Sequence, residues 1–303
     1  MRIGIIGIGG VGGYFGGKLA RAYGQAGPHE IIFVVRGEHL KEIQKNGLQL
    51  FTREGDYIAR PTIATDNSKK ARIFDLVFFC VKSYSLESSA REFSANINKN
   101  TVVIPLLNGV NSAQRLRAVL PKANIISGSV YIISSIEKPG VVRQKDGACR
   151  LMFGTDDESA QKYKYIFDIL LQAKIDAKLT NKISEVLWMK YLLMCPVGSL
   201  TSATGKTYGA IMDDPILRQK LKGMMQEVFA VARARKVLLP KDAVDKTLQL
   251  AGSFGHDSKT SMQLDREKGR QTEIDALTAY LCQTGKEFGI PTPLHDEIYT
   301  QLK

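Results

Sequence analysis

Tryptophan occurs once in this chain of 303 residues, and histidine and cysteine four times each. The histidines (His29, His39, His256, His295) and cysteines (Cys80, Cys149, Cys195, Cys282) are widely spaced, and no acidic cluster accompanies them. No metal site is expected from such spacing. Three of the cysteines lie within apolar runs, where the thiol acts as a small buried hydrophobe, so a reducing, cytoplasmic setting is expected. No stretch approaches the roughly 18 unbroken apolar residues of a membrane span. Residues 1–20 have the basic start and apolar run of a signal peptide, but their glycines fit a folded strand, turn and helix, so no targeting segment is expected. The G-x-S-x-G elbow of serine hydrolases is absent, and Gly205-Lys206-Thr207 lacks the upstream glycine of a phosphate-binding P-loop. Basic residues outnumber acidic ones by 42 to 30, a net charge of +12. They are scattered, with no zinc-finger or RNA-recognition signature, so nucleic acid is not an expected partner. The positive potential suits small anionic ligands.

Glycine, by contrast, is plentiful at 27 residues. The run Arg2-Ile3-Gly4-Ile5-Ile6 reads as a short buried strand that enters Gly7-Ile8-Gly9-Gly10-Val11-Gly12, a G-x-G-x-x-G turn, and residues 14–22 continue as a helix. In a dinucleotide-binding βαβ unit the first glycine permits the tight turn. The second lets the backbone approach a pyrophosphate, and the third lets helix and strand pack closely. The backbone of Gly7, Ile8, Gly9, Gly10, Val11 and Gly12 is therefore the expected phosphate cradle. A second apolar run, residues 31–35, ends at Arg36. A carboxylate there would bind the ribose 2′-hydroxyl of NAD; arginine suits a 2′-phosphate, so NADP is the expected cofactor.

The first 180 residues alternate apolar runs with amphipathic segments. Strands are expected at residues 2–6, 31–35, 75–81, 101–107 and 124–127, which fits a doubly wound, mostly parallel sheet. Two hairpins are expected: residues 47–51 with 57–60 through Glu54-Gly55-Asp56, and residues 140–144 with 149–153 through Lys145-Asp146-Gly147. Helical periodicity then takes over at residues 182–195, 215–236, 241–251 and 266–288. The fold class expected is α/β: a Rossmann-type domain over residues 1–179, then an all-helical domain over residues 180–303.

Lys190 lies on the apolar stripe of Ile183, Val186, Leu187, Tyr191 and Met194. A lysine there either faces a cleft or snorkels its ammonium to water, and the two readings stand level. Glu273, in Gln271-Thr272-Glu273-Ile274-Asp275, sits at the shoulder of another stripe; alone it reads as a solvated first-turn glutamate. Asn108-Gly109 and Lys82-Ser83 each follow an apolar run. Ligands collect at the carboxyl ends of strands in open α/β sheets, although a plain Asn-Gly turn and a solvated loop lysine remain open.

Together these pieces resemble the ketopantoate reductase (2-dehydropantoate 2-reductase) family over nearly the whole chain. They are the glycine turn, Arg36, Val81-Lys82-Ser83, Leu107-Asn108-Gly109-Val110, Leu187-Trp188-Met189-Lys190, Thr260-Ser261-Met262 and Gly269-Arg270-Gln271-Thr272-Glu273-Ile274-Asp275. The resemblance implies NADPH-dependent reduction of ketopantoate to pantoate in pantothenate biosynthesis, by a monomer or homodimer that takes a small 2-oxo acid. It implies that Lys190 is the general acid, that Glu273 assists it, and that both contact substrate. It places Asn108 beside nicotinamide and substrate, Ser261 at the substrate carboxylate, and Lys82 at the cofactor. The family usually carries asparagines four and eight residues after the lysine; here those positions are Met194 and Gly198, and Pro196 between them is expected to kink or end the helix. A different, more apolar 2-oxo acid is the alternative substrate. An alternative of another class is a non-catalytic NADP-binding redox sensor.

Overall fold

Strand β1 (Arg2–Ile6) runs between two parallel neighbours and is shielded on both faces, which is why its residues are apolar almost without break. In the computed structural model, which describes residues 1–25, 27–145 and 147–303, it sits in a six-stranded sheet. The other strands are β2 (Glu30–Val34), β5 (Ile63–Thr65), β6 (Leu76–Phe79), β7 (Val102–Pro105) and β8 (Asn124–Ile125). The order is β5-β2-β1-β6-β7-β8, and every pairing is parallel. Helix α1 (Gly10–Tyr23) covers one face with Ile3, Ile5 and Phe33. On the other face Ile6, Val34 and Val77 meet α4 (Leu86–Glu92) and α5 (Ser112–Val119). Two short helices, α2 (Gly37–Asn46) and α3 (Ser68–Ala71), complete the crossovers beyond β2. Contacts divide the chain into two compact units: Met1–Leu107 with Asn111–Ile183, and Asn108–Val110 with Ser184–Lys303.

Two smaller sheets belong to the first unit. One has the order β10 (Ser134–Lys138), β11 (Val141–Gln144), β3 (Leu48–Thr52), β4 (Gly55–Ala59); the other is β13 (Asp176–Thr180), β12 (Arg150–Gly154), β9 (Ser127–Tyr131). The first expected hairpin is present as β3 and β4, turning one residue earlier, at Arg53-Glu54. The second is not. Residues 141–144 pair with β10 and β3, whereas residues 150–154 pair with β9 and β13. Its proposed turn includes Asp146, which lies outside the described residues. The real turn is Pro139-Gly140, with Gly140 at φ +76°. β10 escapes an apolar reading because it is largely exposed, yet Pro-Gly is a turn signal in its own right. Helix α6 (Lys164–Gln172) leads into β13.

The second unit is helical: α7 (Ile183–Thr204), α8 (Tyr208–Asp213), α9 (Pro215–Ala234), α10 (Ala243–Gly252), α11 (Ser261–Glu267), α12 (Tyr280–Glu287) and α13 (Pro293–Leu302). Pro196 does not end α7. Leu192, Cys195, Val197 and Leu200 are at most 1 % exposed, so packing outweighs the one hydrogen bond that proline removes. The expected helix over residues 266–288 is broken. Gly269, at φ +61°, closes α11: its N–H donates to the Arg266 carbonyl and the Arg270 N–H to the Asp265 carbonyl. Those two bonds are a Schellman cap, the usual work of a glycine just past a helix. The chain re-enters helical structure as a π turn, Asp275–Ala279, in which the Ala279 N–H donates to the Ile274 carbonyl, five residues back.

The π turn is tied to α7 by two buried bonds. The Tyr191 hydroxyl donates to the Leu277 carbonyl at 2.5 Å, and Ser199 and Thr278 share a hydroxyl contact at 2.6 Å. Tyr191→Phe removes this buried bond but leaves the Leu277 carbonyl its bond from the Tyr280 N–H, and is expected to cost about 0.5–1.5 kcal/mol. Urea denaturation checks this; an unchanged midpoint at unchanged slope would show that the bond does not anchor the turn.

Candidate active site and nucleotide cradle

In the second unit three side chains that lie far apart in sequence come together. Asn108 is half-buried, Lys190 projects from α7, and Glu273 stands just before the π turn, 6 % exposed. Lys190 Nζ donates to Asn108 Oδ1 at 2.9 Å, and Asn108 Nδ2 lies 3.5 Å from Glu273 Oε2. Only one orientation of the amide serves both, oxygen to ammonium and nitrogen to carboxylate. Gly109 takes φ +94°, which lets the chain turn straight after Asn108.

Burial pushes the Lys190 ammonium down to about 8, while the Glu273 carboxylate acts in the opposite direction. The snorkelling reading fails on this geometry, since the ammonium is held by the Asn108 amide and desolvated. The reading of Glu273 as a solvated first-turn residue fails too, because the side chain is buried and not in the first turn of a regular helix. The cluster can hold a proton near neutrality beside a hydrogen-bonding relay, which is what a general acid requires.

Ser261 is exposed at the first position of α11 and is not hydrogen-bonded to this trio. Its neighbour Met262 is buried, and the nearest atom to a Cβ built on Gly198 is Met262 Cε at 3.7 Å. Because α7 runs through Pro196, Lys190, Met194 and Gly198 follow one another at one-turn intervals.

The first unit holds the glycine turn. Gly7 takes φ +96°, and its N–H donates to the Val34 carbonyl at 3.0 Å. Gly9 precedes α1, and a Cβ there would meet nothing within 4 Å. A Cβ on Gly12 would stand 1.9 Å from the Gly7 carbonyl oxygen, and one on Gly10 would stand 2.2 Å from the Ser134 carbonyl oxygen. The first N–H groups of α1 have no acceptor within the helix. Open space at Gly9 in front of those donors suits a pyrophosphate held by backbone. Ile8 buries its side chain in the core, so only its backbone is available there. Val11 and Lys82 are half-buried, Lys82 just after β6 and next to β1 in the sheet. Arg36 caps α2 with extended backbone and is 66 % exposed, ion-paired to Glu92. Glu92 and Ser134 were not anticipated; nothing in sequence spacing marks a residue 56 positions from Arg36 as its partner. Among the described residues no group of three or more histidine, cysteine, aspartate or glutamate side chains is placed to hold a metal, and no helix is long and apolar enough to cross a membrane.

The chain matches the model for "Ketopantoate reductase PanE/ApbA" over residues 3–157 and that for "Ketopantoate reductase PanE/ApbA C terminal" over residues 182–303. It is 29 % identical to the 2-dehydropantoate 2-reductase of Mesorhizobium japonicum, covering all of this chain and 97 % of the relative. It is 24 % identical to an uncharacterized oxidoreductase of Bacillus subtilis, YkpB, covering all of this chain and 98 % of that one. The crystal structure of a PanE/ApbA family ketopantoate reductase from Ralstonia eutropha superposes with a TM-score of 0.90 at 29 % identity, covering all of this chain and 97 % of the other.

Alanine substitutions separate the two kinds of glycine. Gly12→Ala forces two backbone segments apart and is expected to destabilise by about 1–3 kcal/mol or more. Gly9→Ala, which opens into space, is expected to leave the melting temperature unchanged. Equal melting shifts for the two variants would contradict the packing described.

Proposed function

From the chain's place in the ketopantoate reductase family, to which it belongs, we propose that it reduces ketopantoate to pantoate with NADPH, in the biosynthesis of pantothenate. Oxidoreductase chemistry with a nicotinamide cofactor is the family's common ground. The observation that carries the reading is the Lys190–Asn108–Glu273 cluster, with its ammonium brought down to about 8.

NADPH, when bound, supplies hydride to the keto carbon. The residues of this chain do the rest. The backbone of Gly7, Ile8, Gly9, Gly10, Val11 and Gly12 holds the phosphates, with Lys82 beside it, and Arg36 takes the 2′-phosphate. Lys190 stabilises the charge that gathers on the carbonyl oxygen and gives it a proton from Nζ. Glu273 favours the protonated lysine, and Asn108 fixes its position beside nicotinamide and substrate. Ser261 takes the substrate carboxylate. The residues that make up the acid also rank a non-catalytic redox sensor below an enzyme, since a sensor has no use for a desolvated lysine at this point; turnover of any 2-oxo acid excludes the sensor.

Lys190→Ala is expected to lower kcat roughly a hundredfold to ten-thousandfold while leaving the NADPH dissociation constant nearly unchanged. The pH dependence follows from the same group. Reduction needs protonated Lys190, so kcat/KM falls as pH rises through about 8; oxidation of the hydroxy acid needs the neutral amine, so it rises over the same range. Steady-state rates in both directions between pH 6 and 10 measure this, and flat profiles would remove Lys190 from the proton step.

A second reading concerns substrate, and the Met194–Gly198–Met262 surface favours it. Where an amide would hydrogen-bond a substrate hydroxyl, this chain offers a thioether at Met194 and, at buried Gly198, a glycine backed by the Met262 methyl. A more apolar 2-oxo acid would then outperform ketopantoate, and Met194→Asn should improve ketopantoate use by about 1 kcal/mol, roughly fivefold. NADPH oxidation with a panel of 2-oxo acids decides; a wild-type preference for ketopantoate over every other acid at low micromolar KM would end the second reading.

A further inference from the structure

Arg36 closes β2 where a 2′-phosphate reader is expected, yet its guanidinium is ion-paired to Glu92 at the end of α4. Both residues lie in the first unit, and both are accessible, with side chains 66 % and 35 % exposed. The neighbouring acid on α4, Glu87, is held by Arg115 through Nε at 2.6 Å and Nη2 at 2.7 Å, so it does not share in this pair. An exposed pair of this kind contributes little to stability. Its electrostatic effect on a ligand is larger: with Glu92 attached, an arriving 2′-phosphate meets a site of net charge near zero instead of one positive charge. Doubly charged phosphate must either displace the carboxylate or lie beside it, and both cost binding.

We propose that Glu92 is a cofactor-selectivity residue: it competes with the 2′-phosphate for Arg36, so that the chain discriminates less between NADPH and NADH than Arg36 alone would. This rests on the reading of Arg36 as the 2′-phosphate ligand. The test is calorimetric binding of NADPH and of NADH, without substrate, to wild type, Glu92→Gln, Arg36→Ala and the double variant. Glu92→Gln is expected to raise the preference for NADPH about tenfold, the effect of freeing the Arg36 guanidinium for one charge-assisted contact to phosphate. It should do so only when Arg36 is present. Arg36→Ala should abolish most of the preference. If Arg36→Ala lowers the preference while Glu92→Gln leaves it within about twofold of wild type, the inference is wrong and the NADPH reading stands. If Glu92→Gln acts equally in the Arg36→Ala background, Glu92 does not work through Arg36 and the inference is again wrong. A preference untouched by Arg36→Ala overturns the 2′-phosphate reading, and this inference with it. Glutamine is isosteric with glutamate, and unchanged thermal melting of all variants confirms that binding alone is being read.

Discussion

Helix α1 can exist where it does only because much of its surface has no side chains. It is sandwiched between the parallel sheet and the four-stranded sheet. A Cβ on Gly16 would meet Ile5 and Phe33 on one side, and Cβ atoms on Gly13 and Gly17 would meet Val142 and Leu50 on the other. The helix start is closer still, with Gly12 against the carbonyl of Gly7. Backbone packed this tightly fixes where the first turn of α1 points, and the orphan N–H groups of that turn are aimed by packing and not by any polar side chain. The second sheet depends on the same contact, since β10, β11 and β3 have α1 as their floor. The strand-order reversal at β1, with β2 on one side and β6 on the other, then opens the sheet's carboxyl edge where Gly9 is unobstructed.

The helical unit solves a different problem, that of keeping a lysine charged but reluctant. Desolvation works against the ammonium and Glu273 works for it, and the balance leaves it near neutrality. Asn108 makes the compromise tolerable by accepting from the ammonium and giving a donor to the carboxylate, so that neither charge is buried without a partner. Position is then a matter of how α7 is held against the segment that carries Glu273, through Tyr191 and Ser199.

Much of the parallel sheet was legible because β1, β2, β6 and β7 are buried on both faces and so read as unbroken apolar runs. The glycine turn was legible because the backbone at Gly7 and Gly12 leaves room for no other residue. What escaped was structure written in exposed or tertiary terms. β10 is mostly solvent-facing and has no apolar period. The break at residues 268–274 is signalled by Gly269, but Arg266-Glu267-Lys268 before it and Arg270-Gln271 after it are good helix formers, so composition argues for a continuous helix. Pro196 misled in the opposite sense, because a rule about isolated helices was applied to one whose every side is packed. Lys190 and Glu273 could be picked out as odd residues on apolar stripes, but sequence left each ambiguous. Their bridge through Asn108 joins positions 82 and 165 residues apart, and no local pattern encodes that.

The π turn after Glu273 has a consequence for how this helix tolerates length change. It accommodates one residue more per turn than the α-helix that follows it, so it behaves as an insertion that has already been absorbed. Removing a single residue there would let the segment relax into regular α-helix at little cost to the fold. The same deletion would rotate everything upstream by about 100° and swing Glu273 off the line to Lys190. In this stretch the reading length of the chain, and not only the identity of its side chains, carries the information that assembles the site.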